Sequence, residues 1–160
     1  MIQHINNNNI RECVDVIKES FLTVANEFGL TIENAPRFTA FATTEQRLSW
    51  QLTYENRPMY AFVKDGSIIG YYSLLLKNEE CELNNLCVLP QFRHQGIGKE
   101  LLLHSFSTAK NLGCSKMNIG IVEENQILKK WYESFGFKHI KTQKFDFFPF
   151  TCGYMELYLT

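Results

Sequence analysis

The chain lacks the features that would tie it to nucleic acid, a metal ion, a membrane or an oxidising compartment. Its 160 residues include 16 basic and 17 acidic side chains, a formal charge of −1, which gives no basic footprint for nucleic acid. Five cysteines form no CxxC pair, and no HExxH motif indicates a metal site. No apolar run is long enough for a membrane helix, and the first residues do not resemble a signal peptide. We therefore expect a cytoplasmic protein without nucleic-acid, membrane or metal partners.

The composition that remains is that of an ordinary globular domain. Hydrophobic residues make up 45% of the chain and charged residues 21%, and 160 residues can bury a full core without disulfides. No linker or repeat interrupts the chain. We therefore predict one domain over residues 1–160.

Apolar periodicity and turn residues predict an α+β fold with a mixed sheet. A helix with one apolar face follows the asparagines at 6–9 and ends at Gly29. Residues 31–42 have no period and read as a loop, and Thr44 can cap a second helix. Asp65-Gly66 favours a tight hairpin. The remaining elements are predicted as strands at 1–5, 59–64, 67–76, 81–88, 116–122, 137–147 and 154–159, and as helices at 99–112 and 125–135.

The most informative stretch is Leu86–Lys99, in which a strand leads through two glycines into a helix. The first turn of a helix has free N–H groups and a partial positive charge, so it can hold a phosphate with few side chains. Gly96 and Gly98 would let the backbone approach such a ligand closely. An ordinary turn with a helix cap is the alternative. A P-loop needs four residues between its glycines, and a dinucleotide fingerprint needs a third glycine where Leu101 stands, so both are excluded.

The segment Arg93-His94-Gln95-Gly96-Ile97-Gly98 fits the pattern Arg/Gln-x-x-Gly-x-Gly/Ala and resembles the acetyl-CoA signature of the GNAT superfamily of N-acetyltransferases. A second family motif is present as Asn125 followed by Tyr132 and then Gly136-Phe137. The two motifs together cover about residues 58–137, in the order that the family uses. The resemblance implies one GNAT-like domain with a splayed strand pair in a mixed sheet and helices on both faces.

The resemblance also implies acetyl-CoA as co-substrate. In the family, the pyrophosphate binds the glycine turn, and the pantetheine arm pairs with the splayed strand. Carried over by position, these contacts fall on Leu86, Cys87, Val88, Arg93, His94, Gln95, Gly96, Ile97, Gly98 and Lys99, with a further hydrogen bond from Asn125.

Acetyl transfer to an amine needs a base and an acid. An amine of pKa about 10.4 is neutral about once in ~2500 molecules at pH 7, a deficit of ~4.6 kcal/mol. The resemblance suggests Glu82 as the base, with a solvent-facing strand residue as the alternative. It suggests Tyr132 as the acid that protonates the departing thiolate, with an interface aromatic as the alternative. We also expect the Val88 amide to stabilise the oxyanion, with direct transfer in a ternary complex.

The sequence says least about the molecule that accepts the acetyl group. By resemblance, residues 29–42 and 145–153 line its pocket, and both stretches are rich in phenylalanine. This enrichment indicates either an apolar amine substrate or ordinary packing. A small-molecule amine is the first expectation, with a peptide N-terminus or a lysine as the alternative. A non-catalytic acetyl-CoA sensor, a structural partner protein and a homodimer also remain open.

Overall fold

A computed structural model describes all 160 residues. One sheet of seven strands runs in the order β1-β2-β3-β4-β5-β7-β6. Only β4 and β5 pair in parallel, and every other pair is antiparallel, so the sheet is mixed as predicted. The strands are β1 (Ile2–His4), β2 (Met59–Lys64), β3 (Ser67–Lys77), β4 (Glu80–Val88), β5 (Lys116–Val122), β6 (Lys138–Lys144) and β7 (Thr151–Tyr158).

Five helices flank the sheet: α1 (Ile10–Glu27), α2 (Thr39–Ala42), α3 (Glu45–Thr53), α4 (Ile97–Asn111) and α5 (Gln126–Glu133). Neighbouring strand residues point to opposite faces. Tyr72 on β3 bonds His104 of α4 through its hydroxyl at 2.7 Å, whereas the adjacent Tyr71 lies near Cys13 of α1. Helices therefore cover both faces, which confirms the expected layering.

The close packing of α4 on the sheet depends on Gly70. A Cβ added there would lie 2.9 Å from Cδ1 of Leu101 and 3.1 Å from the carbonyl oxygen of Cys87. The largest hydrophobic cluster occupies this region and includes Leu101, Leu102 and Met117. Glycine at position 70 thus sets the distance between α4 and the strand that leads to the glycine turn.

Local signals located most elements correctly. Asp65 and Gly66 both have positive φ, 51° and 79°, as the tight hairpin turn requires. Thr44 caps α3 by accepting a hydrogen bond from the Arg47 amide. The loop expected over 31–42 is wrong at its end, because Thr39–Ala42 forms a short helix. None of the helices is long and apolar enough to cross a bilayer.

The parallel strands β4 and β5 separate after a short contact. They pair only from Glu80 to Glu82 and from Lys116 to Asn118, although β4 continues to Val88 and β5 to Val122. Asn85 has φ of 56°, at a shift of the β3–β4 register between Tyr71 and Ser73. A bulge of this kind bends the strand and increases its twist. The splayed pair that the sequence predicts is therefore present, and it opens a cleft in the middle of the sheet.

Candidate active site

The glycine turn exposes a continuous run of backbone donors. The amides of residues 94–99 have no acceptor within the chain, and the first bonded amide of α4 is that of Glu100, which donates to the Gly96 carbonyl at 3.0 Å. Gly96 has φ of 83° and precedes α4, and a Cβ built on it meets nothing within 4 Å. Six free amides around an open glycine at a helix N-terminus form a site suited to a phosphate or pyrophosphate.

Within the turn, the residues serve different purposes. Ile97 is buried in the core cluster and fixes the start of α4, while His94, Gln95 and Lys99 are exposed. His94 shares the left-handed backbone, with φ of 63°. Gly98 lies in the helix, where an added Cβ would make ordinary contacts at 3.8 Å with Val88 and Trp131. Of the two glycines, only Gly96 therefore needs a left-handed conformation.

Arg93 has a different role from the expected one. Its Nε donates to the Val88 carbonyl at 3.0 Å, and its two terminal nitrogens donate to Thr23 Oγ1 at 3.0 Å and the Ser20 carbonyl at 2.9 Å. Its own amide donates to the Pro90 carbonyl. Because each of its three side-chain nitrogens donates within the protein, Arg93 ties β4 to α1, and the row of free amides starts at His94.

Near its end, β4 presents part of its backbone to the gap that separates it from β5. The amide of Leu89 donates to the carbonyl of Ile69 on β3. Along an antiparallel pair, residues that bond the neighbouring strand alternate with residues that do not. Cys87, opposite Tyr71, therefore uses its backbone for the β3 ladder, whereas Val88 points its amide toward the gap. Leu86 follows the bulge at Asn85 on the same edge. The expected backbone contribution of this strand consequently rests on Leu86 and Val88 rather than on Cys87.

Tyr132 is buried at the base of this region, with 6% of its surface exposed. Burial, followed by the nearby Cys87 thiol, raises the pKa of its phenol, so the group keeps its proton at neutral pH. Its ring packs edge-on against Phe137 at 5.3 Å and Trp131 at 5.0 Å. A protonated phenol in a rigid aromatic setting can donate a proton to a developing anion.

Asn125 lies at the start of α5 rather than within it. Its Oδ1 accepts the Leu128 amide at 3.2 Å, so it is the N-cap, and the expected helix from residue 125 begins one residue later. Its side-chain nitrogen is free to donate. The side chain of Trp131 packs against the core cluster, and its ring lies 3.8 Å from the position of a Cβ at Gly98. It therefore borders the groove between α4 and α5.

The splay encloses a cleft of about 250 Å³. Its walls come from five separate segments of the chain: α1, the start of α2, β4, β5 with the start of α5, and β7 with the residue before it. Apolar residues dominate the lining, which includes Phe21, Val24, Phe38, Leu128 and Phe150. Glu82 and Tyr154 contribute the carboxylate and the phenol that face this space.

Glu82 lies on β4 at the point where the strands part, opposite Leu75 and Asn118. Its side chain is 39% exposed and its Oε2 is 3.4 Å from Lys77 Nζ. With the Asn84 amide oriented to satisfy both neighbours, Asn84 donates to Glu82 Oε1 at 2.8 Å and accepts from Arg57 at 3.1 Å. Asn84 and Arg57 thus hold the carboxylate in place, a support that the sequence analysis did not find.

The phenylalanines of the two predicted acceptor stretches divide into two groups. Phe38 and Phe150 line the cleft and contact each other with ring centroids 5.8 Å apart. Phe145, Phe147 and Phe148 pack among themselves beside it, and Arg37 lies over the Phe147 ring at 4.2 Å. Some of the rings therefore face the cleft and the others pack beside it, and the apolar amine substrate stays a prediction.

Comparison with known proteins agrees with this geometry. The model of the acetyltransferase (GNAT) family matches residues 26–137. The chain belongs to this family, and its relatives are N-acetyltransferases. It is 27% identical to an uncharacterised N-acetyltransferase of Mycobacterium bovis, over 71% of this chain and 73% of that protein.

Two further relatives have named activities. A [ribosomal protein bS18]-alanine N-acetyltransferase of Haemophilus ducreyi is 30% identical over 59% of this chain and 65% of its own length. A spermidine N(1)-acetyltransferase of Thermoplasma acidophilum is 30% identical over 52% of each chain. The PaiA N-acetyltransferase of Thermoplasma acidophilum, solved with coenzyme A, superposes with a TM-score of 0.84 at 20% identity, over 99% of this chain and 98% of that one. The GNAT fold and acyltransferase class are thereby established.

Proposed function

We propose that this acyltransferase moves an acetyl group from acetyl-CoA to a primary amine by direct transfer in a ternary complex, with a small-molecule amine as acceptor. The observation that supports this most strongly is the row of six free amides at 94–99, which follows β4, the strand whose residues 82–85 line the cleft. A doubly charged pyrophosphate at the turn would direct the thioester along β4 into that cleft.

The coenzyme contacts would be mainly backbone ones. The amides of His94, Gln95, Gly96, Ile97, Gly98 and Lys99 would hold the pyrophosphate, and the β4 edge at Leu86 would pair with the pantetheine amides. The Val88 carbonyl accepts from Arg93, so Val88 would contribute only its amide. The free side-chain nitrogen of Asn125 would add one donor.

The chemistry would then require two proton transfers. Glu82 would take a proton from the acceptor ammonium, directly or through water. The neutral amine would attack the thioester carbonyl, with the Val88 amide donating to the oxyanion. Tyr132 would protonate the departing thiolate. Burial raises the pKa of the Cys87 thiol to about 12, so this cysteine stays protonated at neutral pH, which favours direct transfer over a covalent relay.

Peptide acceptors form the second candidate, because one relative is a ribosomal-protein alanine N-acetyltransferase. A steady-state panel would separate the alternatives. Purified protein is incubated with acetyl-CoA and either small amines or a peptide with a free N-terminal alanine, and free coenzyme A thiol is measured. We expect thiol release with a small amine. Tight coenzyme A binding without release for any acceptor would contradict the proposal and identify an acetyl-CoA sensor.

A further inference from the structure

The lining of the cleft restricts what the acceptor can be. We infer that the acceptor is a primary amine that carries one positive charge on an aromatic or similarly apolar body. This inference rests on the proposed function and names the substrate class of the same site.

The size and walls of the cleft give the first argument. Its volume of about 250 Å³ is below the ~300–1,000 Å³ that is usual for drug-sized ligands. The rings of Phe38 and Phe150 form one wall, and Phe21 and Val24 of α1 continue it. Phe38 lies edge-on to Phe21 at 6.2 Å and to Phe150 at 5.8 Å. An aromatic body can join such a cluster with favourable geometry.

The charges give the second argument. Glu82 is the carboxylate in the cleft lining, and it can pair with one ammonium group. The charged side chains that contact it directly or through Asn84 are cationic: Lys77 is 3.4 Å from Glu82, and Arg57 reaches it through Asn84. Lys141 also lies 5.3 Å over the ring of Tyr154 in the lining. A second cation close to the bound ammonium would therefore meet these groups rather than a second carboxylate.

The same features disfavour the two other acceptor classes. A polyamine would bring one or two further ammonium groups close to the cationic side chains of Lys77 and Arg57. A peptide N-terminus would place backbone N–H and C=O groups against the phenylalanine wall, where each buried unpaired group costs about 1–3 kcal/mol. A single charge at one end of an apolar body avoids both penalties.

Steady-state kinetics with three acceptors test the inference. We expect kcat/KM for phenethylamine to exceed that for spermidine and for an alanine-terminated peptide by roughly tenfold or more, which is the discrimination available from a few apolar contacts. Spermidine or peptide as the best acceptor would overturn the inference while leaving the proposed function intact.

Two variants examine the wall and the charge separately. Phe38→Leu is expected to reduce kcat/KM for phenethylamine roughly tenfold. Phe147→Leu, which removes a ring that packs beside the cleft but does not line it, should have little effect.

Thr39→Asp adds a carboxylate inside the cleft, at the first residue of α2. It is expected to raise kcat/KM for 1,4-diaminobutane roughly tenfold and remains informative if Phe38→Leu fails to fold. Equal effects of Phe38→Leu and Phe147→Leu, or no gain for Thr39→Asp, would contradict the inference.

Calorimetry keeps failure of the two proposals distinct. If no acceptor releases thiol, the proposed function fails. Phenethylamine binding to the protein saturated with coenzyme A then still tests the cleft. Saturable binding of phenethylamine but not spermidine would support the inference, and the reverse preference or no binding would contradict it.

Discussion

The two halves of the candidate site are built on different principles. The coenzyme half is local and made of backbone: six consecutive amides at 94–99 and the strand that precedes them. The acceptor half is made of side chains from five distant segments. A backbone donor row needs only a turn geometry, which a short motif encodes. A side-chain cleft needs the whole fold, so relatives with the same turn can act on different acceptors.

The largest effect is expected at Tyr132, the proposed acid, which lies near Cys87 of β4. Removing the hydroxyl in Tyr132→Phe should lower kcat by about 10²–10⁴-fold if it is the general acid. Acetyl-CoA affinity should stay nearly unchanged, because the ring packing against Phe137 and Trp131 is preserved. Stopped-flow or steady-state thiol release gives kcat, and calorimetry gives the affinity. Equal losses in both would assign Tyr132 to packing.

The next effect isolates the coenzyme half. Gly96→Val should weaken coenzyme A binding by about 100-fold, since a β-branched residue at φ of 83° is strained and its side chain enters the space where a phosphate would approach. Gly113→Val is a matched control, with φ of 85° and the same open surroundings but at the other end of α4. Calorimetric affinities of the two variants decide the result, and similar losses would argue against the turn as the binding site.

Arg93 couples the two halves, because it joins β4 of the coenzyme edge to α1 of the cleft wall. Arg93→Ala should lower the free energy of unfolding by about 2–3 kcal/mol and raise KM for both acetyl-CoA and the amine. Arg93→Lys should recover only part of this, since a single ammonium cannot reproduce the planar fork. Chemical denaturation and two-substrate kinetics give both quantities. A rise in KM for acetyl-CoA alone would restore the expected phosphate role.

The smallest effect concerns the support of α5. Glu123 accepts from Lys129 at 2.7 Å and His139 at 2.9 Å. Burial opposes ionisation, but these partners hold the pKa of Glu123 below its ordinary value. The carboxylate therefore stabilises the fold above about pH 4 and loses this contribution as the pH falls through its folded pKa.

Glu123→Gln should thus cost about 1 kcal/mol of unfolding free energy at pH 7 and progressively less in acid. Glu133→Gln, at the exposed last residue of α5, is the control. Denaturation curves at several pH values measure the difference. A cost that is independent of pH would show that charge is not the cause.

The sequence predicted best what depends on neighbouring residues. The hairpin at Asp65-Gly66 and the helix after the glycine turn follow from conformations that few other residues adopt, although α4 begins at Ile97, two residues before the predicted start at 99. The short helix at Thr39–Ala42 was missed because four residues cannot express a period.

Arg93 shows the limit of a motif, since the pattern gives the residue type but not the direction of its side chain. The three acceptors of Arg93 come from β4 and α1, which only the fold brings together. The same limit applies to the aromatic lining of the cleft, because Phe38 and Phe150 are far apart in the sequence and only the fold brings them together. The role of Glu82 as base and the coenzyme contacts of Leu86, Val88 and Asn125 remain predictions.

The most direct measurement is a titration of ¹⁵N-labelled protein with coenzyme A, followed by amide chemical shifts. We expect the largest shifts on the amides of 94–99. Pantetheine, which lacks the pyrophosphate, should leave these amides nearly unperturbed while shifting that of Val88. Coenzyme A shifts concentrated elsewhere, or pantetheine shifts of the same size at 94–99, would contradict this expectation.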